Sequence, residues 1–284
     1  MQIEYGFDIA VAVGQATPFH ALLDVHPDRR GDIVTEGAFG ITPPALLSLT
    51  TDAFGNRMRR FLLRPGETML SQRGVILDSG EPDRAAPSAR AMDVADLPAD
   101  MLQFLAGSRY CETDKLGELA WQQFGGMARG YRLVEAVCDF THNRIAFNYA
   151  HARATRTALE AYEEKRGVCR DYAHLAIALC RSLNIPARYV NGYLGDIGVP
   201  ADPAPMDFSA WFEAYLEGGW HTFDARHNQR RIGRIVIARG RDAADVPMLQ
   251  SFGPHELKRF EVVAREIQAP IPLHAEPVAA SMVA

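Results

Sequence analysis

Short runs of alternating apolar and polar residues mark the N-terminal part of the chain and predict half-buried β-strands. Between residues 3 and 13 every second residue is apolar (Ile3, Tyr5, Phe7, Ile9, Val11 and Val13). Gly55-Asn56 separates apolar runs at residues 47–53 and 57–63, as a hairpin turn does. Pro65-Gly66 precedes a further strand over residues 68–77. We therefore predict a β-sandwich-like or barrel-like unit over roughly residues 1–80.

The pattern changes from strands to helices after residue 95. Residues 79–95 are rich in Pro, Asp, Arg and Ala, which is typical of a linker. Helical spacing of apolar residues then predicts helices at residues 115–124, 130–145 and 155–165, the last with Thr155 as its N-cap. Gly167 ends the third helix, and a fourth follows with one apolar stripe: Cys169, Tyr172, Ala173, Ala176, Leu179, Cys180 and Leu183.

Strands return after the fourth helix. We predict them at residues 187–194, 208–216, 220–223, 232–238 and 259–263, with Glu217-Gly218-Gly219 as a hairpin turn. From residue 268 the chain is mostly Ala, Pro and Val, which predicts a loosely ordered tail. The domains predicted are a β-rich domain with its linker (residues 1–95), an α+β core (residues 96–267) and the tail (residues 268–284).

Cys169 is the first candidate for chemistry, because it would lie in the first turn of a buried helix. Unpaired backbone N–H groups and the positive end of the helix dipole favour a thiolate there. The same N–H groups could stabilise an oxyanion, so the position suits a nucleophile. An inert cysteine in the core is the alternative on this stretch alone.

Composition narrows the classes of function. The chain has 284 residues, of which 48% are hydrophobic, and a net charge of -5, so we expect a globular protein without nucleic acid or a membrane as partner. The acidic N-terminus predicts no signal peptide, and no apolar run reaches the ~20 residues of a membrane span. The four widely spaced cysteines predict neither a zinc site nor a disulfide framework, and they favour the cytoplasm. No metal or organic cofactor is predicted.

Four ordered sequence blocks resemble the transglutaminase-like superfamily, in its bacterial branch of predicted cysteine proteases. They are Gly167-Val168-Cys169-Arg170-Asp171-Tyr172-Ala173-His174, Leu183-Asn184-Ile185-Pro186-Ala187-Arg188-Tyr189-Val190 with Gly192-Tyr193, Ala210-Trp211-Phe212-Glu213-Ala214-Tyr215, and Trp220-His221-Thr222-Phe223-Asp224. The resemblance implies an α+β fold: a papain-like transglutaminase core, with helices packed on an antiparallel sheet, behind an N-terminal β-sandwich-like domain.

The resemblance also implies a Cys–His–Asp triad. The cysteine corresponds to Cys169 and the aspartate to Asp224, but Ser209 stands where the family has its histidine. Serine has no basic nitrogen, so it cannot take a proton from the thiol and return it to a leaving amine. His227, just beyond Asp224, is the candidate substitute base, with a surface histidine as the alternative.

We expect structural roles for the other residues near these blocks. We expect His174 to point away from Cys169, His221 to face away from Asp224, and Glu213 to be exposed on the face of Ser209. The six arginines between Arg226 and Arg241 are expected to form a solvated face.

Two functions remain open on the sequence. The first is acyl transfer or amide hydrolysis on a peptide or protein through a Cys169 thioester. The second is a catalytically inactive peptide- or protein-binding module, in which the histidine has been lost naturally or by engineering.

Overall fold

The alternating stretch at residues 3–13 forms strand β1 (Gln2–Val13), with Ile3, Phe7 and Val11 fully buried. The computed structural model describes residues 1–267, so the predicted tail at residues 268–284 lies outside the described residues. The other strands of the N-terminal region are β2 (Thr17–Ala21), β3 (Ile33–Glu36), β4 (Gly40–Thr42), β5 (Leu47–Thr51), β6 (Arg57–Leu63) and β7 (Gly66–Leu77). The pairing of β5 with β6 confirms the hairpin predicted at Gly55-Asn56.

The helices and the remaining strands follow the predicted order. The helices are α1 (Thr113–Phe124), α2 (Tyr131–Arg144), α3 (Ala158–Glu164) and α4 (Cys169–Ser182). The strands are β8 (Ala146–Phe147), β9 (Arg166–Gly167), β10 (Ala187–Leu194), β11 (Ser209–Leu216), β12 (Gly219–Phe223), β13 (Arg234–Gly240), β14 (Leu249–Ser251) and β15 (Glu256–Glu266). This combination of helices and antiparallel sheets confirms the predicted α+β class.

The core sheet has the strand order β12-β11-β10-β13 and is antiparallel throughout. Helix α4 packs against β10 and β11, and the other helices surround it. Most buried residues of α4 are apolar, as its sequence predicts, with Leu175, Ala176 and Leu179 fully buried, while Asp171, His174 and Arg181 are its buried polar residues. This packing fixes the beginning of α4, where Cys169 lies, against the start of β11, where Ser209 lies.

The N-terminal region forms two sheets whose edges include strands from the far end of the chain. Strand β15 pairs with β1 along ten residue positions, from Ile3 with Glu266 to Ala12 with Glu256. Strand β14 pairs with β2, which gives the second sheet the order β14-β2-β6-β5. Residues 249–266, which the sequence analysis assigned to the α+β core, therefore complete the β-rich region. The boundary at residue 95 itself stays a prediction.

Two local expectations are wrong. The N-cap of α3 is Thr157 and not Thr155: the Thr157 hydroxyl accepts from the Glu160 N–H, and the Glu160 carboxylate accepts from the Thr157 N–H. This reciprocal capping box satisfies two N–H groups that the helix leaves unpaired, which Thr155 does not do. The arginines between residues 226 and 241 are not a solvated face, because Arg231 and Arg234 are buried in ion pairs.

No helix among residues 1–267 is long and apolar enough to span a membrane.

Candidate active site

A tight connection places Cys169 at the beginning of α4. Val168 has an extended backbone, and its N–H donates to Asp171 Oδ2 at 2.8 Å, which holds the turn into the helix. Gly167 packs so close to this carboxylate that a Cβ atom there would lie 2.6 Å from Asp171 Oδ2. Asp171 is fully buried and also accepts from Arg156 Nη1 at 3.1 Å. The glycine and the buried ion pair together fix where the Cys169 side chain points.

The thiol of Cys169 is protonated at neutral pH. Burial and, to a smaller extent, the nearby Asp207 carboxylate raise the pKa of the Cys169 thiol to about 11, against the opposing effects of the Ala210 N–H and Arg226. The expectation that the helix terminus would favour a thiolate is therefore not met, because desolvation of the charged sulfur outweighs it. A group that accepts the thiol proton is needed for nucleophilic attack.

Asp224 and His227 form a hydrogen-bonded pair at the end of β12. The His227 Nδ1 lies 2.8 Å from Asp224 Oδ2, and the His227 and Arg226 backbone N–H groups donate to Asp224 Oδ1 at 2.9 and 3.0 Å. The His227 side chain is 15% exposed, so it is not the surface histidine considered as the alternative. A carboxylate that accepts from Nδ1–H leaves the Nε2 lone pair of the neutral ring as a base.

Asp224 is ionised because a buried arginine lies against it. Burial alone would raise the pKa of Asp224, but the Arg234 guanidinium at 2.9 Å and the bonds from His227 hold that pKa well below its usual range. Arg234 also donates to Asp83 Oδ2 at 2.8 Å and lies over the Trp211 ring. Asp83, in the segment predicted as a linker, thus takes part in fixing the charge of the site.

His227 is neutral at physiological pH. Burial lowers the pKa of its imidazole, Asp224 opposes that shift, and Arg226 and Arg231 lower the pKa further. Nη1 of Arg226 also donates to His227 Nε2, while the same guanidinium stacks over the Phe147 ring. The neutral imidazole could thus accept a proton, but Arg226 occupies the lone pair of Nε2.

Ser209 and Cys169 lie together between two cavities. The smaller, about 150 Å³, is lined by Cys169, Ser209 and His227 among others. The larger, about 480 Å³, is lined by Cys169, Ser209 and mostly apolar residues. All four residues singled out by the sequence, including Asp224 behind His227, are therefore neighbours in one region of the fold.

The remaining residues lie as follows. His174 is fully buried between the rings of Tyr110 and Tyr189 and accepts from the Ala243 N–H, away from the thiol as expected. The His221 ring bonds the Glu217 carbonyl oxygen and has no place in either cavity.

The expectation for Glu213 is wrong. This residue is 6% exposed and forms ion pairs with Arg188 at 2.6 Å and Arg239 at 3.2 Å. Its partners come from β10, the neighbouring strand, and from β13, the strand beyond it, which the sequence of β11 alone could not reveal.

Sequence reasoning missed several residues of the site. Asp207, Arg226 and Asn191 line a cavity beside the thiol, and Arg234 fixes Asp224. For Asp207 and Arg226 a signal existed, since each is within two residues of a predicted site residue. For Asn191 and Arg234, only the pairing of β10 with β11 and β13 brings them to the site.

A family model and a solved structure of known proteins are similar to this chain. The family model of the transglutaminase-like superfamily matches residues 118–225. The crystal structure of a candidate cysteine protease from Cytophaga hutchinsonii is similar over 95% of this chain and 92% of that chain, with a TM-score of 0.80 and 31% sequence identity.

Mycobacterial proteins are also similar. An uncharacterized protein of Mycobacterium leprae is 35% identical over 122 residues, which are 42% of this chain and only 43% of that protein. Uncharacterized proteins of Mycobacterium bovis and Mycobacterium tuberculosis are 29% identical over 231 residues, or 73% of this chain and 72% of each relative.

Proposed function

Because the chain belongs to the transglutaminase-like superfamily, we propose that it catalyses cysteine-dependent acyl transfer or amide hydrolysis on a peptide or protein substrate. In this proposal Cys169 is the nucleophile, His227 is the general base and Asp224 orients the imidazole. The observation that carries it is the 2.8 Å bond between His227 Nδ1 and Asp224 Oδ2, with His227 and Cys169 lining one cavity.

The first half-reaction forms a thioester. His227 Nε2 takes the thiol proton while Cys169 Sγ attacks the carbonyl carbon, and the carbonyl electron pair moves to oxygen. Backbone N–H groups at the beginning of α4 stabilise that oxyanion. As the C–N bond breaks, the imidazolium gives its proton to the leaving amine. Asp224 stabilises the imidazolium in between, which its ionised state allows.

The second half-reaction releases the acyl group. Water, or a second amine, gives a proton to His227 Nε2 and attacks the thioester carbonyl. The C–S bond breaks, the sulfur recovers the proton, and the product is a carboxylic acid or a new amide. In this scheme Ser209 needs no basic nitrogen, since the imidazole comes from the residue three positions after Asp224.

A second candidate, a peptide-binding module without turnover, is favoured by two specific observations. The pKa of the Cys169 thiol is about 11, and Arg226 donates to the nitrogen that would act as base. Both oppose proton transfer from sulfur to imidazole. In such a module the two cavities beside Cys169 would bind peptide and release it unchanged.

The alkylation rate of Cys169 against pH separates the two candidates. Iodoacetamide labelling, mapped by mass spectrometry, uses the buried Cys111, Cys138 and Cys180 as internal references. If His227 is the base, His227→Ala lowers the labelling rate of Cys169 near neutral pH by ~10-fold or more. The matched control is His221→Ala. Equal rates in the wild type and His227→Ala, both rising only towards pH 11, would overturn His227 as the base and favour the module without turnover.

We place this activity in the reducing cytoplasm. All four cysteines are free, and a nucleophilic thiol must stay reduced to act.

A further inference from the structure

The larger cavity beside Cys169 differs in size and in lining from the one that His227 lines. It has a volume of about 480 Å³, against about 150 Å³ for the other. Both cavities share Cys169, Asp207, Phe208 and Ser209 in their linings, so the thiol lies where the two meet. A substrate whose carbonyl reaches the sulfur would therefore have a neighbouring group in the larger cavity.

Apolar side chains from three parts of the chain form the larger cavity. Ile9 and Val246 are buried in its wall, at 1% and 2% exposure. Leu257 and Phe260 line the cavity from β15 and are 54% and 38% exposed, so the apolar lining reaches the surface. The lining residue Arg170 is held by the Ala154 carbonyl oxygen and by Asp171. An open cavity with such walls favours a large apolar side chain over a polar one.

Among the residues that line the cavity, Asn191 has a buried acceptor atom without a partner within the described residues. Asn191 is 5% exposed, and its Nδ2 donates to the Val246 carbonyl oxygen at 2.9 Å. That bond fixes the orientation of the amide, and its Oδ1 is buried without a hydrogen bond in residues 1–267. A buried acceptor without a donor is unfavourable, so this oxygen is suited to receive an N–H group from a ligand.

We propose that this cavity is a specificity site for an acyl donor with a large apolar side chain on the residue whose carbonyl Cys169 attacks. Asn191 Oδ1 accepts a hydrogen bond from the backbone N–H of that same residue. The substrate class is thus a peptide or N-acyl amino acid with a residue such as Leu or Phe at the reacting carbonyl. This inference rests on the proposed function and names the substrate class of the same site.

Covalent probes test the side-chain preference directly. N-acetyl-aminoacyl chloromethyl ketones with Leu, Gly or Asp side chains place a carbonyl, a side chain and a backbone N–H in the same relation as a substrate. We expect the Leu probe to label Cys169 at least ~10-fold faster than the Gly and Asp probes, each rate being divided by the rate with iodoacetamide. Equal normalised rates would overturn the inference.

A variant in the cavity lining tests whether this cavity causes the preference. Leu257→Glu adds a charge to the cavity without changing a buried residue. We therefore expect the ratio of the labelling rates of the Leu and Gly probes to fall by ~10-fold or more. The matched control is Leu62→Glu on β6, where Leu62 is 51% exposed and lines a different cavity. The control should keep the full preference, and an unchanged preference in Leu257→Glu would contradict the assignment of the cavity.

A cycle of protein and probe changes tests Asn191. Replacing the amide N–H of the Leu probe by an ester oxygen removes the donor, and we expect ~10-fold slower labelling of the wild type. In the Asn191→Leu variant, the amide and ester probes should label Cys169 at the same rate, since the acceptor is gone. The iodoacetamide rate and the circular dichroism spectrum report whether the variant is folded. If the ester probe is as fast as the amide probe on the wild type, Asn191 does not read an N–H group.

The outcomes separate this inference from the proposed function. If iodoacetamide labelling depends on His227 but all ketone probes react equally, the catalytic assignment stands and the specificity site is wrong. If labelling is independent of His227 but the Leu preference and its loss in Leu257→Glu are observed, the assignment of His227 as the base is wrong. The assignment of the larger cavity as the specificity site then stands.

Discussion

Arg226 donates from its guanidinium to Nε2 of His227, the ring nitrogen opposite the one that bonds Asp224. The imidazole is thus held between a carboxylate and a cation, each on one nitrogen. In the proposed mechanism, proton transfer from Cys169 requires Nε2 to be free, so Arg226 must leave it before the thiol reacts. The stacking of the same guanidinium on Phe147 shows what holds it in place.

Arg226→Gln should therefore activate the thiol. The substitution removes a positive charge that lowers the pKa of His227 and releases the Nε2 lone pair. We expect iodoacetamide to label Cys169 on the order of 10-fold faster at neutral pH, because the freed Nε2 can accept the thiol proton, a gain that outweighs the loss of a charge that lowers the pKa of the thiol. Arg230→Gln, at an exposed arginine, is the matched control. A slower reaction in Arg226→Gln would assign Arg226 a supporting role instead.

Ser209→His should also raise the reactivity of Cys169. Ser209 is the first residue of β11 and lines both cavities next to the thiol, so an imidazole there could stabilise a thiolate. We expect at least ~10-fold faster iodoacetamide labelling near neutral pH. Ser209→Asn adds a side chain without a basic nitrogen and serves as control. No gain from the histidine would count against the correspondence of residue 209 with the family's histidine.

Asp224→Asn should change both stability and its dependence on pH. The pKa of Asp224 is lower in the folded protein than in the unfolded chain, so its contribution to stability is full above about pH 4 and is lost as the pH falls further. The variant removes one carboxylate from the buried Arg234, and we expect a loss of ~3 kcal/mol at pH 7. Urea denaturation at pH 7, 5 and 3 should show the difference from the wild type shrinking at the lowest pH.

Asp139→Asn is the control for that comparison, because Asp139 is exposed and bonds Asn228. It should lower the free energy of unfolding by ~0.5 kcal/mol or less. A difference between Asp224→Asn and the wild type that stays constant from pH 7 to pH 3 would contradict the depressed pKa of Asp224.

Gly167→Ala should disturb the beginning of α4. An added Cβ would lie 2.6 Å from Asp171 Oδ2, so the carboxylate that accepts from the Val168 N–H must move. We expect the free energy of unfolding to fall by ~1–3 kcal/mol and the labelling rate of Cys169 to change. Gly126→Ala is the matched control, because a Cβ at Gly126 meets no atom within 4 Å. Denaturant titration of both variants is the measurement, and equal stabilities would show that the turn adapts without strain.

Local patterns of sequence were enough for the elements but not for their long-range partners. Alternation and turn residues predicted β10 at residues 187–194, which the structure confirms residue for residue. The pairing of β15 with β1 was not predicted, because alternation shows that a segment is a strand but not which distant strand it joins.

The same limit applies to charges in the site. Arg234 was expected to be solvated, yet it is buried because Asp83 and Asp224 reach it from two other segments. For Cys169, the sequence indicated the helix terminus correctly. It did not indicate how much protein covers the sulfur, and that burial decides its protonation state.

The pairing of Ile9 with Phe260 has a consequence for the order of events during synthesis. Ile9 is synthesised about 250 residues before Phe260, yet both line the cavity next to the thiol. A nascent chain that already contains Cys169, Asp224 and His227 lacks one wall of the cavity beside the thiol until β15 has been made. The proposed selectivity for substrate is thus acquired only once β15 has been synthesised, and a chain shortened before β15 would keep Cys169 without the wall that β15 provides.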